Sequence, residues 1–168
     1  MRQQVYALLV ENNPGVLSRI AGLFSRRGFN IDSITSGETT DPRYTRITVV
    51  ATGDELILSQ IEKQVRKLED VKEIKLLKDG ESVFRELIMV KMRVNAAQRA
   101  EVLSIADIFR AKIVDVEAES VMIELTGNQS KLDGFLNLLS EYEVLELART
   151  GITGLSRGSK DVSGLDLD

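Results

Sequence analysis

The sequence predicts an α+β fold built from two consecutive ferredoxin-like domains, each with the element order β-α-β-β-α-β. Runs with a two-residue apolar period alternate with runs of helical period, and this order of six segments occurs twice. Gly, Pro, Asn and Asp separate most of the segments. A chain of 168 residues with 43% hydrophobic and 29% charged residues suits one ordinary domain or two small ones.

The first strand is predicted over residues 4–10 and the first helix over residues 14–27. Asn13 is placed to cap this helix, Pro14 suits its first position and Gly28 suits a left-handed stop. The apolar side chains of the helix share one face, as packing on a sheet requires: Val16, Ile20, Leu23 and Phe24.

The remaining elements of the first half follow from the same signals. Strands are predicted over residues 30–37, around 46–51 and over 71–77. Gly53 and Asp54 open the second helix between the last two strands. Its apolar stripe consists of Leu58, Ile61, Val65 and Leu68.

The first strand is apolar on both sides, although the helices of a ferredoxin-like unit cover only one face of its sheet. Each half is also small enough to be marginally stable alone. We therefore expect the uncovered face to pack against a second domain or a second subunit. The two sides consist of Val5, Ala7 and Leu9, and of Tyr6, Leu8 and Val10.

The second half repeats the architecture without residue-level identity to the first. Asn95 starts its first helix, with Gln98 in position to complete a capping box. Strands are predicted over residues 84–94, 113–116, 121–126 and 144–148, and the two helices bury Val102, Ile105, Ala106 and Phe109, and Leu132, Phe135, Leu136 and Leu139. The predicted division is a first domain over 1–79, a second over 80–158 and a flexible tail over 159–168. The final stretch, 151–168, is rich in Gly, Ser and Asp and is expected to end without regular structure.

The composition argues against several classes of function. The chain has no histidine and no cysteine, which removes the commonest general base, the commonest metal ligand and every thiolate site. Carboxylate, Lys or Tyr chemistry stays open, so a small enzyme remains an alternative. With a net charge of −4, neither half has the positive field that a nucleic acid requires. No apolar run approaches the roughly 20 residues that span a bilayer, and a cytoplasmic location is expected.

The turn between the first strand and the first helix is the candidate site. The first amides of a helix lack partners inside it and lie at its positive end, so they can hold a carboxylate. Gly15 lets a ligand approach the amides of Gly15 and Val16 closely. Asn12 and Asn13 offer donors and acceptors beside them.

A second part of the site is predicted where the second strand begins. Asn30 could hold the ammonium group of an amino acid, and the carbonyl of Ile31 is a further acceptor, with the strand either beside the first strand or across an interface from it. The simpler interpretation is that both segments are ordinary helix-start and turn sequences. No catalytic residue and no metal site is predicted, since the acidic residues around 115–124 fit a solvated hairpin better.

Five segments carry a family resemblance. They are ENNPGVLSRIAGLFSRRGFNIDSIT, VKEIKLL, ELIMVKMRV, IFRAKIVDV and ARTGITGLSRG. In order and spacing they closely resemble the small regulatory subunits of acetohydroxyacid (acetolactate) synthase. The resemblance covers nearly the whole chain except its last ten or so residues.

The resemblance implies that the first domain is an ACT domain, a module that binds amino acids. In that family a catalytic large subunit with thiamine diphosphate, FAD and Mg²⁺ condenses two pyruvates, while the small subunit raises its activity and confers inhibition by valine. The family's effector positions fall on Asn12, Gly15 and Asn30, with Gly37 nearby. The expectation is a homodimer with valine, or a related branched-chain amino acid, at the interface of two ACT domains. A free-standing amino-acid-binding regulator of another partner is the alternative.

Overall fold

The computed structural model describes residues 1–159, 161 and 162 and divides the chain into two compact units. The first unit comprises residues 1–83 together with the described part of the segment that starts at Ile152. The second comprises residues 84–151. Each unit has the predicted β-α-β-β-α-β order, which confirms the α+β, twice ferredoxin-like fold class.

The first unit has a four-stranded antiparallel sheet with the order β2-β3-β1-β4. Strands β2 and β4 are therefore its edges, and β3 lies between β1 and β2. The elements are β1 (Arg2–Glu11), α1 (Val16–Arg26), β2 (Asn30–Glu38), β3 (Tyr44–Gly53), α2 (Glu55–Val65) and β4 (Val71–Leu77).

The core of the first unit lies between this sheet and its two helices. Tyr6 belongs to this core and is 1% exposed, and its hydroxyl donates to the carbonyl of Leu58 on α2. Phe24 and Phe29 meet edge to face where α1 ends. The helix face of the sheet contributes Tyr6, Leu8, Val10, Ile47, Val49, Ala51 and Ile74, and the predicted stripe of α1 is buried against it.

The second unit has a sheet with the order β6-β7-β5-β8. Asn95 and Gln98 form the predicted capping box at the start of its first helix, with the Asn95 side chain accepting from the Gln98 amide at 2.8 Å. Phe109 and Phe135 pack edge to face between its two helices. The elements are β5 (Ser82–Arg93), α3 (Ala96–Ile108), β6 (Lys112–Glu117), β7 (Ser120–Gly127), α4 (Gln129–Leu139) and β8 (Glu143–Arg149).

The segment that follows the second unit, from Ile152 onward, contains a strand where the sequence predicted no regular structure. Thr153–Ser156 forms strand β9, which pairs with β5. The amide of Arg157 donates to the carbonyl of Glu81 at 2.8 Å, and Arg46 of β3 donates to the carbonyl of Gly154 at 2.7 Å. The segment that was expected to close the second domain, 152–158, thus belongs to the first unit because these hydrogen bonds hold it there. Of the predicted tail, 159–168, all but residues 159, 161 and 162 lies outside the described residues.

The sheet face that carries no helix in the first unit is also buried. Ala7 is fully buried and Val50 is 1% exposed, although neither belongs to the helix-side core. The chain's own C-terminal segment lies beside part of the sheet, since Leu9, Leu77 and Leu155 line one groove. Among the described residues, no helix is both long and apolar enough to cross a lipid bilayer.

Candidate functional site

The turn between β1 and α1 places a glycine in the left-handed conformation at the N-terminus of α1, here called the helix mouth. Gly15 is the N-cap residue of α1, with φ +85° and no side-chain cap. The prediction that Asn13 caps the helix and Pro14 opens it is wrong, since α1 begins at Val16. The reason is local: the Asn13 side chain donates to the Glu11 carboxylate at 3.2 Å instead, and the left-handed turn at Gly15 delays the first helical residue.

The helix mouth presents backbone donors without close partners. Within the described residues, the amides of Gly15, Leu17 and Ser18 donate no hydrogen bond, and the Val16 amide reaches the Asn13 carbonyl only at 3.5 Å. These groups lie at the positive end of the α1 dipole. They form a small site that can hold one carboxylate.

Arg19 adds positive charge next to this mouth. A Cβ built on Gly15 would lie 3.0 Å from Nη1 of Arg19, so the guanidinium lies directly beside the glycine. Its Nε donates to the carboxylate of Asp70 at 2.5 Å, which holds the side chain in place. Arg19 was not among the site residues predicted from the sequence. Its position one helical turn after Gly15 is the signal that could have found it.

Asn12 is tied to the turn between β2 and β3. Its Nδ2 donates to the carbonyl of Pro42 at 3.0 Å, and its Oδ1 accepts from Oγ1 of Thr45 at 3.1 Å. The backbone amide of Asn12 donates to the Arg43 carbonyl at 2.8 Å. These bonds tie Asn12 to the turn before β3 and to Thr45 at the start of β3, and a ligand that takes the place of Pro42 and Thr45 at the Asn12 side chain would release both ties.

Asn30 and Ile31 lie at the opposite end of the sheet from the helix mouth. Asn30 pairs with Thr52 on β3, and Thr52 pairs with Gln3 near the start of β1. The strand rise of about 3.3 Å per residue puts Asn30 roughly 26 Å from Glu38 at the far end of β2. The idea that β2 lies beside β1 is wrong, because β3 separates them.

Gly37 lies at the same end of the sheet as the helix mouth. It pairs with Arg46, which pairs in turn with Leu9 near the end of β1. A Cβ on Gly37 would meet open space. Within one chain, the fold thus gathers Asn12, Asn13, Gly15, Val16 and Gly37 at one end of the sheet, and it leaves Asn30 and Ile31 at the other.

Asn30 is already engaged in a polar cluster at its own end. Its Nδ2 donates to Oδ1 of Asp32 at 2.7 Å. The same carboxylate accepts from Thr52 at 2.5 Å and from Gln3 at 3.2 Å. Asn30 and Asp32 lie on the exposed edge strand β2, so a second molecule can reach this part of the cluster.

Comparison with known families matches both units. Residues 85–158 match the family described as the small subunit of acetolactate synthase. Residues 7–73 match the family described as the AHAS small subunit-like ACT domain.

Individual relatives match over nearly the whole chain. A probable acetolactate synthase small subunit of Methanothermobacter thermautotrophicus is 47% identical over 157 residues, which cover 93% of this chain and 94% of the relative. The acetolactate synthase small subunit of Haemophilus influenzae is 43% identical over 161 residues, covering 95% and 99%. The crystal structure of the small subunit from Thermotoga maritima superposes with a TM-score of 0.87 at 40% identity, covering 95% of this chain and 100% of that one.

Proposed function

The chain belongs to the small subunits of acetolactate synthase, and from that premise we propose that it is a feedback regulator whose ACT unit binds valine between two copies of the chain. The observation that carries the proposal is the division of the candidate site. The carboxylate end has unpartnered amides at the mouth of α1, while Asn30 lies at the far end of an edge strand.

Pairing two copies through β2 brings the two halves of the site together. An edge strand offers a row of free backbone groups that a second strand can use. In an antiparallel two-fold pairing, the start of one β2 lies beside the end of the other. Asn30 of a second copy then lies near Gly37 and the helix mouth of the first. The homodimer follows from the same geometry, and each dimer has two equivalent sites.

The chemistry of the assembled site suits a branched-chain amino acid. The free amides of Gly15, Leu17 and Ser18 hold the carboxylate, with the Arg19 guanidinium adding attraction at close range. The side-chain carbonyl of Asn30 and the backbone carbonyl of Ile31, both from the second copy, accept from the ammonium group. Valine has no further charge to recognise, so its short apolar side chain needs only a neutral surrounding.

The partner of this regulator is the catalytic large subunit of acetolactate synthase. We assign the condensation of two pyruvates, and the thiamine diphosphate, FAD and Mg²⁺ that it uses, to that subunit. The role of this chain is to raise the activity and to make it sensitive to valine, and both proteins act in the cytoplasm. Valine then acts as a switch because it binds one arrangement of the two copies better than another.

Calorimetry and light scattering on the purified chain test the binding part of this proposal. We expect a dimer that binds one valine per chain, and we expect leucine or isoleucine to compete for the same site. A folded monomer that binds valine would contradict a site shared between two copies. Absence of any heat with all three amino acids would contradict amino-acid regulation itself.

A further inference from the structure

Arg46 holds the segment from Ile152 to Arg157 on the sheet of the first unit, the ACT unit, through a hydrogen bond to a backbone carbonyl. Its Nη2 donates to the backbone carbonyl of Gly154 at 2.7 Å. Within the described residues it has no carboxylate partner, and its buried Nε donates to nothing. Burial lowers the pKa of the Arg46 guanidinium from its ordinary value. A half-buried cation with a single neutral acceptor is weakly stabilised where it lies.

The segment that Arg46 holds is also anchored by the pairing of its strand β9 with β5. Ile152 is buried and the Arg157 amide donates to Glu81, but Leu155 is 64% exposed. An open groove of about 990 Å³ is lined by the sheet residues Leu9, Arg46, Lys75 and Leu77 and by Leu155, Ser156 and Gly158 of the segment. Because the groove beside Arg46 is open, loss of the Arg46 hydrogen bond loosens the segment on the side that faces β3, where it is not closely packed.

Arg46 is also connected to the candidate effector site through one neighbouring residue. Thr45 donates from Oγ1 to Oδ1 of Asn12 at 3.1 Å, and Arg46 follows Thr45 directly on β3. The backbone of Arg46 lies between Leu9 on β1 and Gly37 on β2. Asn12 is thus connected to Gly154 by a hydrogen bond to Thr45, the peptide bond from Thr45 to Arg46, and the hydrogen bond from Arg46 to Gly154.

We propose that Arg46 is a latch that couples occupancy of the amino-acid site to docking of the segment from Ile152 to Arg157. The proposal rests on the function proposed above, since it takes Asn12 to be an effector contact. When the ligand binds the Asn12 side chain, it replaces the hydrogen bonds from Thr45 and to Pro42. The start of β3 then loses two ties, Arg46 moves away from Gly154, and the segment is released. The docked and the released segment are then the two states between which the site shifts the balance, as a physical coupling between two places requires.

Hydrogen exchange of the full chain tests the latch, with mass spectrometry following the peptide that spans residues 152–157. In the original protein, saturating valine should speed exchange of this peptide at least threefold. Arg46→Met keeps the apolar length of the side chain but removes the donor. Without valine, the peptide should therefore exchange at least threefold faster in this variant than in the original protein, and valine should not speed its exchange further. Arg46→Lys, which can still donate one hydrogen bond, should lie between the two.

Arg43→Met is the matched control. Arg43 lines the same groove, but it pairs with Asp41 and makes no hydrogen bond to the segment, so exchange of the peptide should stay as in the original protein. Equal exchange in Arg46→Met and the original protein, both without valine, would overturn the latch. Calorimetric binding of valine without any change in exchange would overturn the coupling and leave the proposed function intact. Absence of calorimetric binding would overturn the proposed function and the coupling with it.

Discussion

At the residue scale, the amides at the helix mouth make Gly15 the most sensitive position of the proposed site. Gly15→Asp should abolish the response to valine, because its carboxylate occupies or repels the anion position while it suits the positive end of α1. Valine titrations followed by calorimetry measure the loss. Normal valine affinity in this variant would place the effector elsewhere.

The matched control for this substitution is Gly15→Ala. The φ of +85° strains any side chain at this position, so both variants should lose about 1 kcal/mol of folding stability. Gly15→Ala adds no charge, and Arg19 can shift by a few tenths of an ångström to make room. It should therefore retain measurable valine binding, which separates the effect of charge from that of strain.

Asn30 is the residue that tests whether the site is shared. Asn30→Ala should weaken valine binding by about 1–3 kcal/mol, the cost of leaving a buried polar group of the complex without a partner. Its effect on the melting temperature should be small, since the Asn30 side chain is exposed and its hydrogen bond to Asp32 lies on the surface. Unchanged affinity together with a large drop in melting temperature would make Asn30 a structural turn residue.

Tyr6 predicts the alkaline limit of stability. Burial, and next to it the charge of Glu62, raises the pKa of Tyr6 to about 12 from its ordinary value of 10.0. The folded state keeps the proton while the unfolded state loses it, so the stability due to this group is complete below pH 10.0 and is lost as the pH rises towards about 12.

Urea unfolding at pH 8 and at pH 11 measures this loss. Tyr6→Phe should be about 1 kcal/mol less stable at pH 8, since it lacks the hydrogen bond to Leu58, and it should lose less stability between the two pH values than the original protein. An equal loss in both proteins would assign the alkaline limit to other groups.

The sequence could name the types of residue in the site but not their relative positions. Gly15 and the amides beside it could be predicted as a binding site, because the unpartnered amides of a helix start follow from local sequence alone. Asn30 was placed with them, although the strand order leaves it at the far end of the sheet. Strand order depends on long-range pairing, which no local pattern encodes. The hydrogen bond from Arg46 to Gly154 could not be predicted for the same reason, since Gly154 lies 108 residues further along the chain.

At the element scale, the capping box at the start of α3 predicts a local stability effect. Asn95→Ala should destabilise the second unit by about 0.5–2 kcal/mol, because the Gln98 amide loses its acceptor. Hydrogen exchange should show faster opening of α3, with unchanged protection of β1 and unchanged valine affinity. Equal loss of protection in both units would show that they unfold together.

The strand and helix bounds were predictable to within a few residues where periodicity was strong. Strand β4 begins and ends where the sequence predicts, because Val71 and Leu77 limit a clear apolar run. Helix α1 begins two residues late, since the sequence does not reveal the left-handed conformation of Gly15. Strand β9 was missed because Gly and Ser dominate its surroundings, and its pairing with β5 overrides that local preference.

At the scale of the whole molecule, the exposed edge strand β2 predicts a homodimer at micromolar concentration. Light scattering should give twice the mass of 18.7 kDa. The dimer should persist in high salt, because strand pairing and apolar contacts are screened far less than surface charges. A folded monomer under these conditions would remove the shared effector site and with it the proposed role of Asn30.

The most direct test of the regulatory role is acetolactate formation by the catalytic subunit, measured with and without this chain and titrated with valine. The proposal predicts that the chain alone makes no acetolactate, that it raises the rate of the catalytic subunit, and that valine lowers the raised rate in the original protein but not in Gly15→Asp. Acetolactate made by the catalytic subunit at the same rate with and without this chain, at every valine concentration, would contradict it.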